Sequence, residues 1–306
     1  MVNAAASGGE TDSVVSLSRG NSYGPTVSEA IAQPESQPAA APVKDASTVM
    51  LMRDGAHGPE VFLQRRVGGM AFAAGMTVFP GGGVDASDAS IALDWAGPEA
   101  AWWGERFGID AGRAQALVCA AVRELFEECG VLLAGPTADT VVGDASVYAE
   151  ARGQLERREL SFAEFLTREN LVLRADLLRP WDNWITPVIE PRRYDTRFFV
   201  GVLPEGQLAD GATSEAEVVT WCTPAEAIDR WHQGVDVLLP PTWTQLAALG
   251  EFASTAEILA AERTIAPIIP VYDPSGGGPA LAFPNADRYF AELPDNSRIR
   301  GSQRPE

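Results

Sequence analysis

A chain of 306 residues with 46% apolar side chains has enough material for a substantial buried core. Its net charge of −19 argues against a protein that grips nucleic acid through the phosphate backbone, since such binding uses basic surface to displace counterions. No run of 18 apolar residues occurs, which excludes a membrane-spanning helix.

Residues 1–46 are rich in Ala, Ser, Pro, Gln and Gly and poor in large apolar side chains, so burial cannot offset the entropy of ordering them. They are predicted to be a disordered tail. Without a basic region followed by an apolar run, this start is expected to be neither a secretory signal nor a membrane anchor. A folded domain is expected over 47–272. It opens with strands at Thr48–Met52 and Glu60–Leu63 around the turn Arg53–Pro59, and a third strand at Met76–Phe79. The stretch from about 86 to 108 carries Trp95, Trp102 and Trp103, too many aromatic rings for a purely solvated loop, and is expected to pack as a lid or buttress. A helix is predicted over Ala111–Cys129, with Asp110 as N-cap and Gly130 as its stop.

Helical periodicity returns at Tyr148–Leu160 and Ser161–Arg168, where Ser161 precedes Glu164 as in a capping box. Strands are predicted at Trp184–Pro187, Thr196–Val202 and Glu217–Trp221, and helices at Pro224–Trp231, Pro241–Phe252 and Thr255–Arg263. Residues 273–306, beginning with Ser275-Gly276-Gly277-Gly278-Pro279, read as a loose C-terminal tail. Cys119, Cys129 and Cys222 lack C-x-x-C spacing and read as buried, reduced thiols, which points to a reducing, cytoplasmic setting. Trp181, Trp184 and Trp221 read as core, and His57 and His232, far apart in loop and helix-end contexts, each read as non-catalytic.

The chemistry concentrates at the end of the predicted Ala111–Cys129 helix. At 100° per residue, Glu124, Glu127 and Glu128 share an arc of about 100°, with Arg123 one turn behind Glu127. Leu117, Val118, Ala121, Val122, Leu125 and Cys129 fill the neighbouring arc, so an acidic edge runs beside a core face. Three crowded carboxylates repel one another unless cations bind. Hard Mg²⁺ or Mn²⁺ is the expected occupant, and an ordinary solvated helix face is the bland alternative.

The run Arg123-Glu124-Leu125-Phe126-Glu127-Glu128-Cys129-Gly130-Val131 resembles the C-terminal part of the Nudix box, G-x5-E-x7-R-E-U-x-E-E-x-G-U. Phe79-Pro80-Gly81-Gly82 resembles the entry to that box. The chain is therefore similar to Nudix hydrolases, with the box interrupted. Family spacing from Gly82 puts the arginine at 96, whereas it stands at 123, a difference of 27 residues. The first glutamate would fall at Asp88 by that count, or at Gln115 counting back from Arg123, so Asp85 or Asp88 is the candidate substitute. Phe62-Leu63-Gln64-Arg65-Arg66 followed by Gly75 to Gly82 partly fits a coenzyme A signature, L-L-T-x-R-S/A-x3-R-x3-G-x3-F-P-G-G. Arg66, Gly75 and the Phe-Pro-Gly-Gly run match, while Gln64, Val67 and Ala71 depart. The pattern resembles the branch that includes peroxisomal-type coenzyme A diphosphatases, although the sequence ends in Arg304-Pro305-Glu306 and not in Ser-Lys-Leu.

This resemblance implies an α/β (α+β) Nudix fold: a mixed β-sheet sandwiched between helices, an insertion at about 86–108, and extra C-terminal helices. It implies Glu127 and Glu128 as central metal ligands, Glu124 as auxiliary ligand, the Gly82 carbonyl as a further ligand, and Arg123 as their orienter. Glu215 and Glu217 are the candidate pair for the base that activates water, with Glu217 assigned; a box glutamate is the alternative. Arg193 and Arg197 are candidates for the substrate's phosphates and Tyr194 for stacking on an adenine, against a reading of Arg193, Asp195 and Arg197 as cross-strand ion pairs. In an extended strand Arg65 and Arg66 point oppositely, and the resemblance favours Arg66 for the substrate. The expected reaction is metal-dependent hydrolysis of a diphosphate linkage in a small nucleoside diphosphate derivative. Coenzyme A or acyl-coenzyme A is the lead substrate, and ADP-ribose or an NADH-type dinucleotide the runner-up. A non-catalytic ligand-sensing module is the rival class, and a homodimer is compatible with either.

Overall fold

Strand β1 (Val43–Gly55) sends alternate side chains into two different cores, and the rest of the chain is arranged around that division. Val49 and Leu51 enter one cluster while Met50 and Met52 enter the other, all fully buried. Strand β2 (Gly58–Arg66) repeats the pattern, with Phe62 on the first side and Val61 and Leu63 on the second. A sheet apolar on both faces needs a helical layer on each. The computed structural model describes residues 40–68, 73, 75–89, 93–272 and 281–294. Of the expected tail over 1–46, residues 1–39 lie outside the described residues, as does Ala71 of the signature, whereas residues 43–46 are not a tail but the start of β1, paired with β9.

After β2 come the short strands β3 (Thr77–Val78) and β4 (Gly81–Gly83), a 3-10 turn at Ala86–Ala89, and β5 (Trp95–Ala96). Helices α1 (Ala100–Phe107) and α2 (Ala111–Cys129) follow, then β6 (Ala134–Gly135), α3 (Ala149–Glu156), α4 (Phe162–Glu169) and β7 (Val172–Arg174). Strands β8 (Leu178–Ile185), β9 (Arg193–Val202) and β10 (Ala216–Cys222) complete the main sheet. The chain continues through α5 (Pro224–His232), α6 (Pro240–Leu249), α7 (Thr255–Ala260), β11 (Val271–Tyr272), β12 (Leu281–Ala282) and α8 (Ala286–Ala291).

The main sheet runs β10-β2-β1-β9-β8, with β3 added to β2 and β4 to β1. Its β1–β9 pairing is parallel and its other pairings antiparallel, so the sheet is mixed, as expected. Helices α1 to α4 contribute to the cluster on one face and α5 to α8 to that on the other. The expected sandwich is the observed architecture. Among the described residues no helix is long and apolar enough to cross a membrane.

The described residues of the stretch from 86 to 108 pack as a buttress. Trp103 of α1 is fully buried, in ring contact with Trp102, Phe107 and Phe199, and β5 pairs with β7 in a small sheet, β5-β7-β6. Burying one such ring contributes on the order of 3 kcal/mol, enough to anchor the segment against α2.

Four local expectations need correction. The hairpin between β1 and β2 is tighter than predicted, because Gly55 pairs with Gly58 and only Ala56 and His57 remain as the loop. The strand predicted at Met76–Phe79 shrinks to two residues, since β3 has only Gln64 and Arg65 to pair with. The strand predicted at Trp184–Pro187 lies earlier, at Leu178–Ile185, because a bulge between Pro180 and Asp182 lets the proline sit within the ladder to β9. Finally, residues 281–294 are not loose: β12 pairs with β11, and the fully buried Tyr289 of α8 donates its hydroxyl to Leu238 O at 2.9 Å. The run Ser275–Pro279 falls outside the described residues.

Candidate active site

Helix α2 carries the site because both ends are specified. Asp110 accepts the Arg113 N–H at 2.9 Å at its N-terminus, and Gly130 stops it in the left-handed region at φ 70°. Ser47 Oγ of β1 donates to the Leu117 carbonyl at 2.6 Å, docking the helix on the sheet. The last turns therefore hang over β4, which pairs through Gly81–Gly83 with Ala46–Thr48 of β1.

Arg123, 5% exposed, organises the junction. Its Nε and Nη2 reach Asp88 at 3.0 and 2.9 Å, Nη2 also donates to Gly83 O at 2.8 Å, and Nη1 bridges Glu124 at 2.9 Å and Glu127 at 3.2 Å. Burial works against this guanidinium's charge, but its carboxylate partners outweigh that and hold it protonated. Asp88 occupies the place family spacing gives the first glutamate, and its side chain completes the junction. Gly82 leaves room for Glu124: a Cβ there would stand 2.4 Å from Glu124 Oε1.

Glu128 is the most enclosed acid of the three. Its Oε2 accepts the Gly81 N–H at 2.7 Å and the Gln64 Nε2–H at 2.6 Å. Among the described residues no Arg, Lys or His pairs directly with it. Burial, then repulsion from Glu124, pushes its carboxyl well above the ordinary carboxylate range, against the Gly81 hydrogen bond and nearby Arg66. Glu124 is pushed up to about 7, chiefly by burial, with Arg123 opposing and Glu127 adding to the rise. Glu127 moves in the same direction, again mainly through burial. The cluster thus holds more buried negative charge than Arg123 alone can neutralise.

Arg66 pairs with Glu215 at 2.6 Å, whereas Arg65 points to the opposite face and bonds Asp236 at 2.8 Å. Glu215 is fixed from both sides, by Val67 N–H donating to its carbonyl and by Glu156 holding Ser214, and its charge reaches Glu124 and Glu128. Glu217, the assigned base, is exposed at a bulge between Ala216 and Val218 and makes none of these contacts. Of the candidate pair, the structure places Glu215 beside the cluster and Glu217 away from it.

The proposed phosphate contacts are also elsewhere. Arg193 donates to the carbonyls of Thr186 and Ala41, and Tyr194 donates its N–H to Thr186 Oγ1 while its carbonyl accepts the Thr186 N–H. Arg197, 2% exposed, pairs with Asp195 over the ring of Phe107. Asp195 also accepts from Arg113, which binds Asp45. Arg113 lies eleven residues before Glu124 on α2, about 16 Å along the axis. In place of the expected cross-strand ion pairs, Arg197 pairs with Asp195 within β9 itself, and Arg193, Tyr194 and Arg197 are not brought to the carboxylates of α2.

Two contacts escaped the sequence reading. Gln64 was visible only as a departure from a signature, with no sign that it would bind Glu128. Arg152 of α3 donates to the Glu127 carbonyl at 3.0 Å and pairs with Asp210, steadying the end of α2. A lone arginine on a charged helix gives no signal for that role.

Among the described residues no three His, Cys, Asp or Glu side chains already converge as an ion cage. The donor set still fits a hard divalent cation. Glu124, Glu127 and Glu128 are oxygen ligands short of positive charge, and the buried Gln64 Oε1 has no hydrogen-bond partner.

A mixed sheet between two helical layers, with an acidic helix end over a Phe-Pro-Gly-Gly loop, defines a Nudix-type α/β protein. The chain shares the fold of Nudix hydrolases and is similar to members of that family in sequence. Residues 111–249 match the family model described as the NUDT19 Nudix domain. The chain is similar to the acyl-coenzyme A diphosphatase NUDT19 of Xenopus laevis, 26% identical over 235 residues, covering 65% of this chain and 62% of that protein. It is also similar to the putative nudix hydrolase 7 of Caenorhabditis elegans, 30% identical over 174 residues, covering 57% of this chain and 50% of the relative. The chain thus spans less than two thirds of the length of these curated relatives. The crystal structure of a NUDIX hydrolase from Alicyclobacillus acidocaldarius superposes with a TM-score of 0.58 at 26% identity, covering 73% of this chain and 98% of that one.

Proposed function

We propose that this protein hydrolyses the diphosphate linkage of a small nucleoside diphosphate derivative with the help of a divalent metal ion, and that coenzyme A or an acyl-coenzyme A is the substrate. The observation that carries the reading is Glu128: a buried carboxylate without a directly paired cation, next to Glu124 and Glu127, at the end of a helix held over a glycine loop. Such an arrangement is unfavourable alone and becomes favourable when a cation binds. Similarity to acyl-coenzyme A diphosphatases and the matches at Arg66, Gly75 and Phe79–Gly82 support the substrate class.

Glu124, Glu127 and Glu128 would hold Mg²⁺ or Mn²⁺, which when bound would supply charge to screen the two phosphates from an approaching water and to stabilise the leaving phosphate. Arg123 keeps Glu124 and Glu127 in register and anchors them to Asp88. Glu215, an acid outside the box whose charge acts on both Glu124 and Glu128, takes a proton from the attacking water. Arg66 steadies Glu215 and stands ready to meet a phosphate oxygen. Water adds to one phosphorus, the bridging P–O bond breaks, and two phosphomonoesters leave. From coenzyme A these are adenosine 3′,5′-bisphosphate and 4′-phosphopantetheine.

The test is a side-by-side incubation of the purified chain with coenzyme A, an acyl-coenzyme A, ADP-ribose and NADH, with Mg²⁺, Mn²⁺ or EDTA. Metal-dependent release of 4′-phosphopantetheine or its acyl form is the expected result. Preferred turnover of ADP-ribose or NADH would move the substrate assignment. Binding without products in every case would make the chain a sensing module.

A further inference from the structure

One buried atom in the site has no place in the chemistry above. Gln64 lies on β2 and is 1% exposed. Its Nε2 donates to Glu128 Oε2, and that same oxygen takes the Gly81 N–H, so both donors converge on one side of the carboxylate. Among the described residues the Gln64 Oε1 has no hydrogen-bond partner. Its neighbours across the sheet are Val78 on β3 and Val219 on β10, whose side chains have no proton to offer. A buried amide oxygen without a donor is costly, and this one sits on the side chain that grips the most enclosed carboxylate of the site.

We propose that Gln64 is a ligand of the divalent ion: its amide oxygen shares the cation with Glu128, while its amide nitrogen holds that carboxylate in place. The inference rests on the metal-dependent reading above and extends it to a residue outside the box. Amide and carboxylate oxygens suit the same hard cations, and a neutral amide adds a ligand without adding to the local negative charge. One planar group thereby meets two demands. The Nε2–H orients Glu128, and the ion satisfies Oε1.

The test follows cation binding, not turnover, by titrating the full chain with Mg²⁺ or Cd²⁺ and reading the rise in melting temperature. Gln64→Met keeps length and burial but offers a soft sulfur. It is expected to weaken Mg²⁺ binding at least ~10-fold while affecting Cd²⁺ clearly less. Gln64→Glu keeps an oxygen and adds a charge. It is expected to melt lower than wild type in EDTA and to show a wider gap between EDTA and saturating Mg²⁺. An unchanged Mg²⁺ affinity in Gln64→Met, or an equal loss for both ions, would overturn the ligand role. If Gln64→Met fails to fold, a gap in Gln64→Glu no wider than wild type overturns it. Absence of any Mg²⁺ effect on the wild type would instead remove the metal-dependent reading itself.

Discussion

Asp88 and Arg123, 35 residues apart in sequence, form a buried two-pronged ion pair, with Nε to Oδ1 at 3.0 Å and Nη2 to Oδ2 at 2.9 Å. The pair closes the interrupted box in space: the loop after Gly82 and the acidic end of α2 meet through it although a folded segment lies between them. Asp88→Asn leaves Arg123 buried with less compensation. The variant is expected to lose roughly 3 kcal/mol of stability, the range for breaking one side of a buried pair. A urea midpoint equal to wild type would show that Glu124 and Glu127 suffice to hold Arg123.

Glu127→Gln and Glu128→Gln keep shape and remove charge. Each is expected to lower turnover at least ~10²-fold at saturating substrate, as loss of transition-state charge stabilisation does. Near wild-type rates in both would take these residues out of the mechanism.

Glu215 and Glu217 separate two accounts of the base. Glu215→Gln is expected to reduce kcat by ~10²-fold or more and to flatten the acid limb of the pH–rate profile, while Glu217→Gln stays within about twofold of wild type. The reverse pattern would restore Glu217 and make Glu215 a tether for Arg66.

Asp236 links stability to pH away from the site. Burial opposes its ionisation, yet hydrogen bonds from Arg230, Arg65 and Thr77 outweigh burial and hold its carboxyl below the usual range. A depressed carboxyl stabilises the fold above its unfolded value and loses that contribution as pH falls through the folded one. Asp236→Asn is therefore expected to be less stable than wild type at pH 7, by about 2 kcal/mol, with the difference shrinking below about pH 4. Chemical denaturation at pH 7 and at pH 3.5 measures both; a constant difference would contradict the ionic origin.

The three thiols are expected to be inert while the protein is folded. Burial raises Cys119 and Cys129 well above the ordinary thiol range and Cys222 to about 11, so little thiolate exists at pH 8. A disulfide reagent is expected to modify almost none within minutes in buffer and all three in guanidinium. Fast modification of one thiol in buffer would reveal local opening.

Much of the site was legible because it depends on local rules. Asp110, Gly130 and the 3.6-residue period define α2, and the order of its acids places them on one edge. Glu215 and Glu217 were not separable, because strict alternation puts them on one face and only the bulge at Ala216–Val218 divides them. The arginines of β9 misled for a related reason. Their spacing was readable, but the neighbours that satisfy them, Asp195, Thr186 and Ala41, belong to pairings the sequence does not specify. Gln64 and Tyr289 depend wholly on tertiary partners, Glu128 in one case and the Leu238 carbonyl in the other.

The parallel pairing of β1 with β9 sets an order of events during biosynthesis. The hairpin of β1 and β2 emerges early, but the central neighbour of β1 arrives only with residues 193–202, each partner 150 positions after the β1 residue it pairs with. Until then the inner edge of β1 is an unpaired ladder, and the far layer waits longer still for Tyr289. Nascent chains are accordingly most vulnerable to misassociation in that interval, and chaperone dependence should track the speed at which translation crosses it.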